Sequence, residues 1–434
     1  MPDPVRVGVV GLGTVGSGVI RLLVDSADHI SRHAGRPIVV ERAVVRDVTK
    51  PRGVQVPAGR LSADIADISR DPSITVVALL VGGIEPARSM MVELLEAGKD
   101  VVTANKALLA EHGPELFDLA RRRGRSIAFE AAVAGGIPIV AAIGECLAAN
   151  RIESIRGILN GTSNFILTRM EEDRSDYAAA LALARAQGYA EADPAMDVDG
   201  TDATQKLAIL AHLAFGVWVP WREIPRTGIE HLGPDLIDDA GELGYRIRLV
   251  AVATRTAAGR VALRVAPALV RAGTPLAETR GAFNAVSLVG DAVGPMFFHG
   301  LGAGQMPTAS AVVADIIDTV VGRAAITFRT TGVLDGERPV SRVADVDVQE
   351  RHVLRVKASD RPGALARIAG ILAEHGISIA SVIQRAPSDA SGAAVPLVIM
   401  THACPSTAMR KAAAHIDACD VVAGDTVCLS VLDD

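Results

Sequence analysis

The hydrophobic period changes several times along the chain. Residues 5–10, VRVGVV, are a short β-branched run and predict a buried strand. GLGTVG follows at once, and SGVIRLLVDS then carries a helical period. IVVERAVVR (38–46), ITVVALLVGG (74–83) and DVVTANK (100–106) read as further strands, the last two with polar C-terminal ends. SIAFEAAVAGGIP (126–138) reads as the next strand, turning at Gly135, Gly136 and Pro138. RIESIRGILNGTSNFIL (151–167) starts as a strand and breaks at Asn160 and Gly161. A helix over YAAALALARAQ (177–187) is ended by Gly188, and TDATQKLAILAHLAFG reads as a second helix with Thr201 as its N-cap. Residues 331–349 lack an apolar period and read as a linker. From 350 to 434 the pattern runs strand, helix, strand, strand, helix, strand, which is a ferredoxin-like order.

Composition narrows the classes. A chain of 434 residues with 49% hydrophobic content has room for two or three domains, each with its own core. The net charge of -6 offers no basic field to nucleic acid, which argues against that partner. Cys146, Cys404, Cys419 and Cys428 form no C-x-x-C pair and read as reduced thiols of a cytoplasmic protein. No secretory pattern opens the chain, and the longest apolar run, 74–84, is far short of the roughly 20 residues that span a bilayer. A soluble protein with no membrane partner is expected.

Gly11, Gly13 and Gly16 have G-x-G-x-x-G spacing between a predicted strand and a predicted helix. The first permits a tight turn, the second lets backbone approach a pyrophosphate, and the third lets the helix pack closely on the strand. Gly11, Gly13, Thr14, Val15 and Gly16 are therefore candidate residues for a dinucleotide, with the helix N-terminus facing its phosphates. At the end of the second strand Arg46 precedes Asp47, with Lys50 and Arg52 close by. Basic groups there suit the 2′-phosphate of NADP and an acid suits NAD, so both cofactors stay open with Arg46 favouring NADP. Asn105 and Lys106 fall just past a strand end, where ligands of such sheets bind; a capping Asn and an exposed Lys are the alternative. Glu130 sits among apolar residues, and a buried carboxylate needs a partner or an ion.

GYAEADPAMDVDGTDATQK (188–206) holds Glu191, Asp193, Asp197, Asp199 and Asp202 before one base, Lys206. Read as a calcium loop with Gly200 at its sixth position, it puts Ala195 first and Lys206 twelfth, and both fail. Asp202 and Lys206 are four apart and share one helix face. A plain surface pair is the alternative. The following face, Leu207, Leu210, Leu213 and Ala214, is apolar and must be buried, which sets the helix start at a domain cleft. Asp193 can turn the loop before Pro194, Asp197 can support Lys206 from behind, and Asp199 reads as a solvated carboxylate.

The run from Ala184 to Lys206 resembles the signature of homoserine dehydrogenases. GLGTVG, TANK (103–106), FEAAVAGGIP (129–138), NGTSN (160–164) and GAGQMPTASAV (302–312) are similar to segments of that family, in its order, over nearly all of residues 5–330. The resemblance implies interconversion of L-homoserine and L-aspartate 4-semialdehyde with NAD or NADP. It implies Lys106 and Lys206 as catalytic lysines, and Glu191 and Asp202 as ligands of the substrate amino group. Tyr189 and Gly188 would shape the pocket, and Asn160, Gly161 and Thr162 would lie near nicotinamide and substrate. Glu130, with backbone carbonyls around Val133, Gly135 and Ile137, resembles the family's monovalent cation site, taken here as sodium. Aldehyde reduction develops charge on oxygen, and a protonated lysine stabilises that charge and supplies the proton.

DRPGALARIAGILAEHGISI (360–379) resembles the ACT domain, an amino-acid-sensing module that pairs between chains. By the same resemblance L-threonine is the effector; a dimerisation module without ligand is the alternative. The expected architecture is α/β. A Rossmann-type dinucleotide-binding domain spans 1–150 and is completed by 305–330. An α+β substrate and dimerisation domain spans 151–304, and the ACT domain spans 350–434. A homodimer or homotetramer is expected.

Overall fold

The first sheet is built from six parallel strands: β1 (Val5–Val10), β2 (Ile38–Val44), β3 (Leu61–Ser62), β4 (Ile74–Leu79), β5 (Asp100–Thr103) and β6 (Ile127–Ala128). They come from a computed structural model that describes residues 3–57, 59–256, 259–330, 348–384 and 394–433. Their spatial order is β3-β2-β1-β4-β5-β6, the doubly wound order of dinucleotide-binding domains. Both faces are covered, which is why the strands read as continuous apolar runs. Val7 and Val76 pack with Val19, Leu23, Ala309 and Val312 in one core. Val10, Val77 and Leu79 pack with Met91, Leu94 and Leu108 in another.

The glycine loop closes on itself. Gly11 N–H donates to the Val44 carbonyl at 2.8 Å. A Cβ at Gly16 would overlap the Gly11 carbonyl oxygen, so the third glycine lets the first turn of the helix Thr14–Asp25 lie against the residue that follows β1. The close helix contact falls at Gly18, against Gln305 and Ala309 of the helix Gln305–Val320. Gln305 Nε2 also donates to the Thr14 carbonyl at 3.0 Å.

The second sheet has ten strands. The middle of the chain contributes β7 (Ile152–Ile158), β8 (Tyr245–Arg255), β9 (Val261–Arg271), β10 (Phe283–Gly290) and β11 (Gly294–Leu301). The C-terminal unit contributes β12 (Gln349–Ala358), β13 (Ile379–Gln384), β14 (Val395–Thr401), β15 (Cys404–Pro405) and β16 (Val427–Leu432). The main path is β11-β10-β7-β8-β9-β16-β12-β14-β13, with β15 paired to β12. The C-terminal unit is thus ferredoxin-like, but its sheet is not separate. β16 runs parallel to β9, pairing Ser430 with Ala268, Val431 with Leu269 and Leu432 with Val270. One face of the unit packs on its helices Ala364–Glu374 and Ser406–Asp417, through Leu354, Val356, Ile368, Leu372, Met409 and Ile416. Val353, Met400, Leu429 and Val431 join the core that also contains Ile247 and Leu249.

Four expectations are corrected. Only Ile127–Ala128 of 126–138 is strand; a 3-10 turn, Glu130–Ala132, follows and brings Glu130 inward. A helix, Gly161–Asp173, starts straight after the break at Asn160, where no helix was expected. The N-cap of the helix Thr201–Phe215 is Gly200, and Asp199 supplies the capping group: its carboxylate accepts from Thr201 N at 2.7 Å and Thr201 Oγ1 at 2.9 Å. Asp199 is therefore a structural acceptor rather than a solvated charge. Of the linker reading, 331–349, residues 331–347 lie outside the described residues, and Gln349 already belongs to β12.

Candidate active site

Asp202 is the centre of a buried charge cluster. It lies in the first turn of the helix Thr201–Phe215, whose first thirteen residues are all buried. Lys206, one turn on, donates to Asp202 Oδ2 at 2.7 Å and to the Leu159 carbonyl at 2.7 Å. Lys106 reaches the other oxygen, Oδ1, at 3.0 Å. Asn160 Nδ2 donates to Asp202 Oδ2 at 2.9 Å and to Asp197 Oδ1 at 2.7 Å. One carboxylate therefore holds two lysines that are 100 positions apart in sequence, across the boundary between the two sheets.

Local sequence explains each placement. Lys106 opens the helix Lys106–Arg122, which Asn105 caps by accepting from Leu108 N at 3.0 Å. The Asn105 amide also donates to the carbonyls of Val81 at 2.9 Å and Gly83 at 2.6 Å, so it clasps the loop after β4 and leaves the cleft to Lys106. Asn160 caps the helix Gly161–Asp173 through Ser163 N at 2.8 Å, which frees its amide for the two acids. Asp193 turns the loop by accepting from Ala195 N at 3.1 Å.

The electrostatics follow from burial and pairing. Burial pushes the Asp202 carboxyl up, but Lys206 and Lys106 outweigh it and hold it well below the usual carboxylate range. Asp202, against the cost of burial, raises Lys106 above an ordinary lysine, with Asp197 and Glu191 adding to that pull. Burial raises Asp197, opposed by the Asn160 hydrogen bond.

The other predicted residues form the rim or stand elsewhere. Thr162 Oγ1 donates to the Tyr189 carbonyl at 2.7 Å, and the Tyr189 ring packs on Phe165 with centroids 4.6 Å apart. Gly188, Tyr189 and Glu191 are exposed at the loop leading into the cluster. Arg46 is exposed at the end of β2. Asp47 beside it is engaged locally: Oδ1 accepts from Thr49 N at 2.8 Å and Thr49 Oγ1 at 2.7 Å. Glu130 is buried, and its two oxygens accept from Val140 N at 2.9 Å and Ala141 N at 2.7 Å. Desolvation raises it to about 7, and Glu145 and Asp318 add repulsion. These acids and Asp315 line a cavity of about 70 Å³. Val133 and Ile137 are buried on the same loop, and Gly135 lies there against Thr308; the Ile137 carbonyl accepts from Ile139 N at 2.7 Å.

Two participants were invisible in sequence. The Leu159 carbonyl holds Lys206, and Asn284 Nδ2 donates to that same carbonyl at 3.1 Å. A backbone oxygen leaves no residue-type signal. Asn284 lies in a strand 125 positions from its partner, and only the GAG turn at 302–304, which packs beside it, could have hinted at a crowded contact.

A doubly wound parallel sheet with a glycine loop, joined to a domain that holds a buried cluster of paired lysines and acids, is the architecture of a dinucleotide-dependent oxidoreductase. Comparison with known proteins makes the class specific. Residues 11–130 match the model "Homoserine dehydrogenase, NAD binding domain", residues 138–317 match "Homoserine dehydrogenase", and residues 352–405 match "ACT domain". The chain is 42% identical over 436 residues to a homoserine dehydrogenase of Pseudomonas aeruginosa, covering 99% of each. A homoserine dehydrogenase of Neisseria gonorrhoeae is 42% identical, with 96% of each covered. Among solved structures, a homoserine dehydrogenase from Thiobacillus denitrificans superposes with a TM-score of 0.89 at 41% identity over 99% of each chain. A hyperthermophilic archaeal homoserine dehydrogenase in complex with NADPH gives 0.62 at 26% identity, over 73% of this chain and 97% of its own. The chain belongs to the homoserine dehydrogenase family.

Proposed function

We propose that the chain interconverts L-homoserine and L-aspartate 4-semialdehyde by hydride transfer to and from NADP or NAD. The observation that carries this reading is Asp202 holding Lys206 and Lys106 on its two oxygens. The nicotinamide supplies the hydride; the protein positions and polarises. Gly11, Gly13, Thr14, Val15 and Gly16 take the pyrophosphate, and Asn160 and Thr162 frame the nicotinamide end. Lys206 spends two N–H groups on Asp202 and Leu159 and directs its third at the substrate oxygen, as acid in reduction and base in oxidation. Lys106 binds across the pocket, and Glu191 with Asp202 receives the substrate ammonium. Tyr189 and Gly188 close the rim.

Arg46 favours NADP, because the neighbouring Asp47 is committed to Thr49 and leaves the ribose end to basic groups. Glu130 with the carbonyls of Val133, Gly135 and Ile137 suits sodium: a buried carboxylate beside further acids gains from a bound cation. That ion would neutralise charge and fix the 129–138 loop, without taking part in the reaction. L-Threonine acts through the ACT unit, where Gly363 opens the helix Ala364–Glu374 behind the Asp360–Pro362 turn. A homodimer or homotetramer forms on the sheet face that carries Phe283, Phe297 and Leu301, which are 40%, 39% and 44% exposed. No helix among the described residues is long and apolar enough to cross a membrane, which fits a cytoplasmic enzyme. We divide the chain at 150, 304 and 349. Steady-state assays with homoserine against NAD and NADP, with and without threonine, test the reading; no homoserine-dependent reduction of either cofactor would refute it.

A further inference from the structure

Lys206 is held at one remove by a residue outside the family-like motifs around it. Its ammonium donates to the Leu159 carbonyl at 2.7 Å, and that oxygen also accepts Asn284 Nδ2 at 3.1 Å. The two donors use both lone pairs of one carbonyl. Asn284 lies in β10 and is 1% exposed. Its strand entry is fixed in turn by Asn164 Nδ2, which donates to the carbonyls of Thr279 and Gly281, each at 3.0 Å.

Two observations show that this amide is more than filling. Asn284 Oδ1 is buried with no hydrogen-bond partner among the described residues. An unpaired buried acceptor is destabilising, and a leucine of similar volume would avoid it. The backbone has also been cleared for it: a Cβ at Gly302 would overlap the Asn284 amide nitrogen, its carbon and its oxygen. Gly302 lies in the turn that leads to Gln305, whose side chain donates to the Thr14 carbonyl of the glycine loop. The amide therefore sits between the catalytic lysine's acceptor and the turn that meets the cofactor loop.

We infer that Asn284, seated against Gly302, is a positioning residue for Lys206: through the Leu159 carbonyl it fixes where the remaining N–H of the ammonium points. This rests on the reading of Lys206 as proton donor, and Lys206→Ala tests that reading separately. Asn284→Ala should lower kcat for aldehyde reduction about tenfold, the worth of one hydrogen bond, with the KM for the dinucleotide held within about twofold. Asn284→Asp gives a readout that a structural role would not move. As a neutral acid it still donates to Leu159; as a carboxylate it does not. Its kcat should approach the parent's at acid pH and fall on a new limb as pH rises.

Gly302→Ala should displace the amide and slow the enzyme in the same way. The Asn284→Ala/Gly302→Ala enzyme, in which the new methyl takes the vacated room, should be no slower than Asn284→Ala alone. Thermal unfolding of each variant identifies any that does not fold, and Asn284→Asp at acid pH then carries the test. Multiplying losses in the double variant, or parent-like kcat and pH profile in Asn284→Ala and Asn284→Asp, overturn the proposal. If Lys206→Ala collapses kcat while Asn284→Ala does not, only the positioning role fails. If Lys206→Ala keeps kcat, the lysine reading fails and the proposal with it.

Discussion

Asp202→Asn is the substitution on which the site geometry bears most directly. It keeps the shape and removes one charge from between two ammonium groups. Lys106 is a third exposed, and solvent screens that contact to about 1 kcal/mol or less. Lys206 is 10% exposed and Asp202 8%, so the 2.7 Å contact between them is a buried pair. Breaking such a pair from one side costs about 3–5 kcal/mol, because the remaining charge is left without its partner. The Asp202 carboxyl is held well below its ordinary value, so the stability it contributes is fully present above the unfolded value of about 4. It is lost as pH falls through the folded value. Urea unfolding of parent and variant should therefore show a gap of about 3–5 kcal/mol that is flat across neutral pH and narrows below about pH 4. In kinetics, Asp202 is the largest cause of the raised Lys106, so the pH above which the substrate KM rises as Lys106 loses its charge should be lower in the variant than in the parent. A neutral-pH gap under about 1 kcal/mol, or one that widens on acidification, would refute the account of Asp202 as the charge that holds the cluster.

Lys206→Ala should lose at least about a hundredfold in kcat, the low end for general acid–base catalysis, in single-turnover assays of either direction. Arg46→Ala should raise the KM for NADP at least about tenfold while leaving that for NAD near its starting value, as expected for one charge-assisted contact to a 2′-phosphate. Sodium chloride, compared with choline chloride at equal ionic strength, should raise the parent's Tm at pH 8 and leave Glu130→Gln unmoved; equal shifts in both would remove the cation reading. Glu350 pairs with Arg264 of β9 at 2.6 Å, tying the C-terminal unit to the catalytic sheet. Glu350→Gln should weaken threonine inhibition at least about fivefold at unchanged basal kcat, measured by titrating threonine into the assay.

The Asp202–Lys206 pair was legible because it is local. Asp202 and Lys206 are four apart, and the apolar face behind them dictated burial, so sequence alone could separate this helix from a surface one. Lys106 was legible only as a polar residue after a strand; its arrival at Asp202 depends on how the two sheets meet. Asp199 was misread because Asp before Gly-Thr has two outcomes, solvated or capping, that differ only in backbone path. Glu130 was legible as a buried acid in need of a partner, but not that two backbone N–H groups would serve. Asn284 gave no sign beyond the GAG turn that packs beside it, since a lone asparagine in an apolar strand is a capping residue, a hydrogen-bonded core residue or a turn with equal ease.

The fold shows the same division between local and long-range. The six parallel strands and the βαββαβ order follow from runs whose period and punctuation sit within about ten residues. The joining of the C-terminal unit to the catalytic sheet does not, because only three residue pairs, Ser430–Ala268, Val431–Leu269 and Leu432–Val270, make that ladder. Yet those pairs decide how the unit can act. β9 also carries Val265, whose N–H and carbonyl bond the Pro225 carbonyl and Thr227 N–H, each at 2.9 Å, and whose side chain lies 3.3 Å from the Cβ position of Gly200. Gly200 is two residues before Asp202. An effector that shifted β16 against β9 would therefore bear on the start of the helix Thr201–Phe215 through the Val265 side chain and the Pro225–Thr227 segment bonded to it. A ferredoxin-like unit on a loose linker would have no such contact, and its ligand would have no differential hold on the two states of the site.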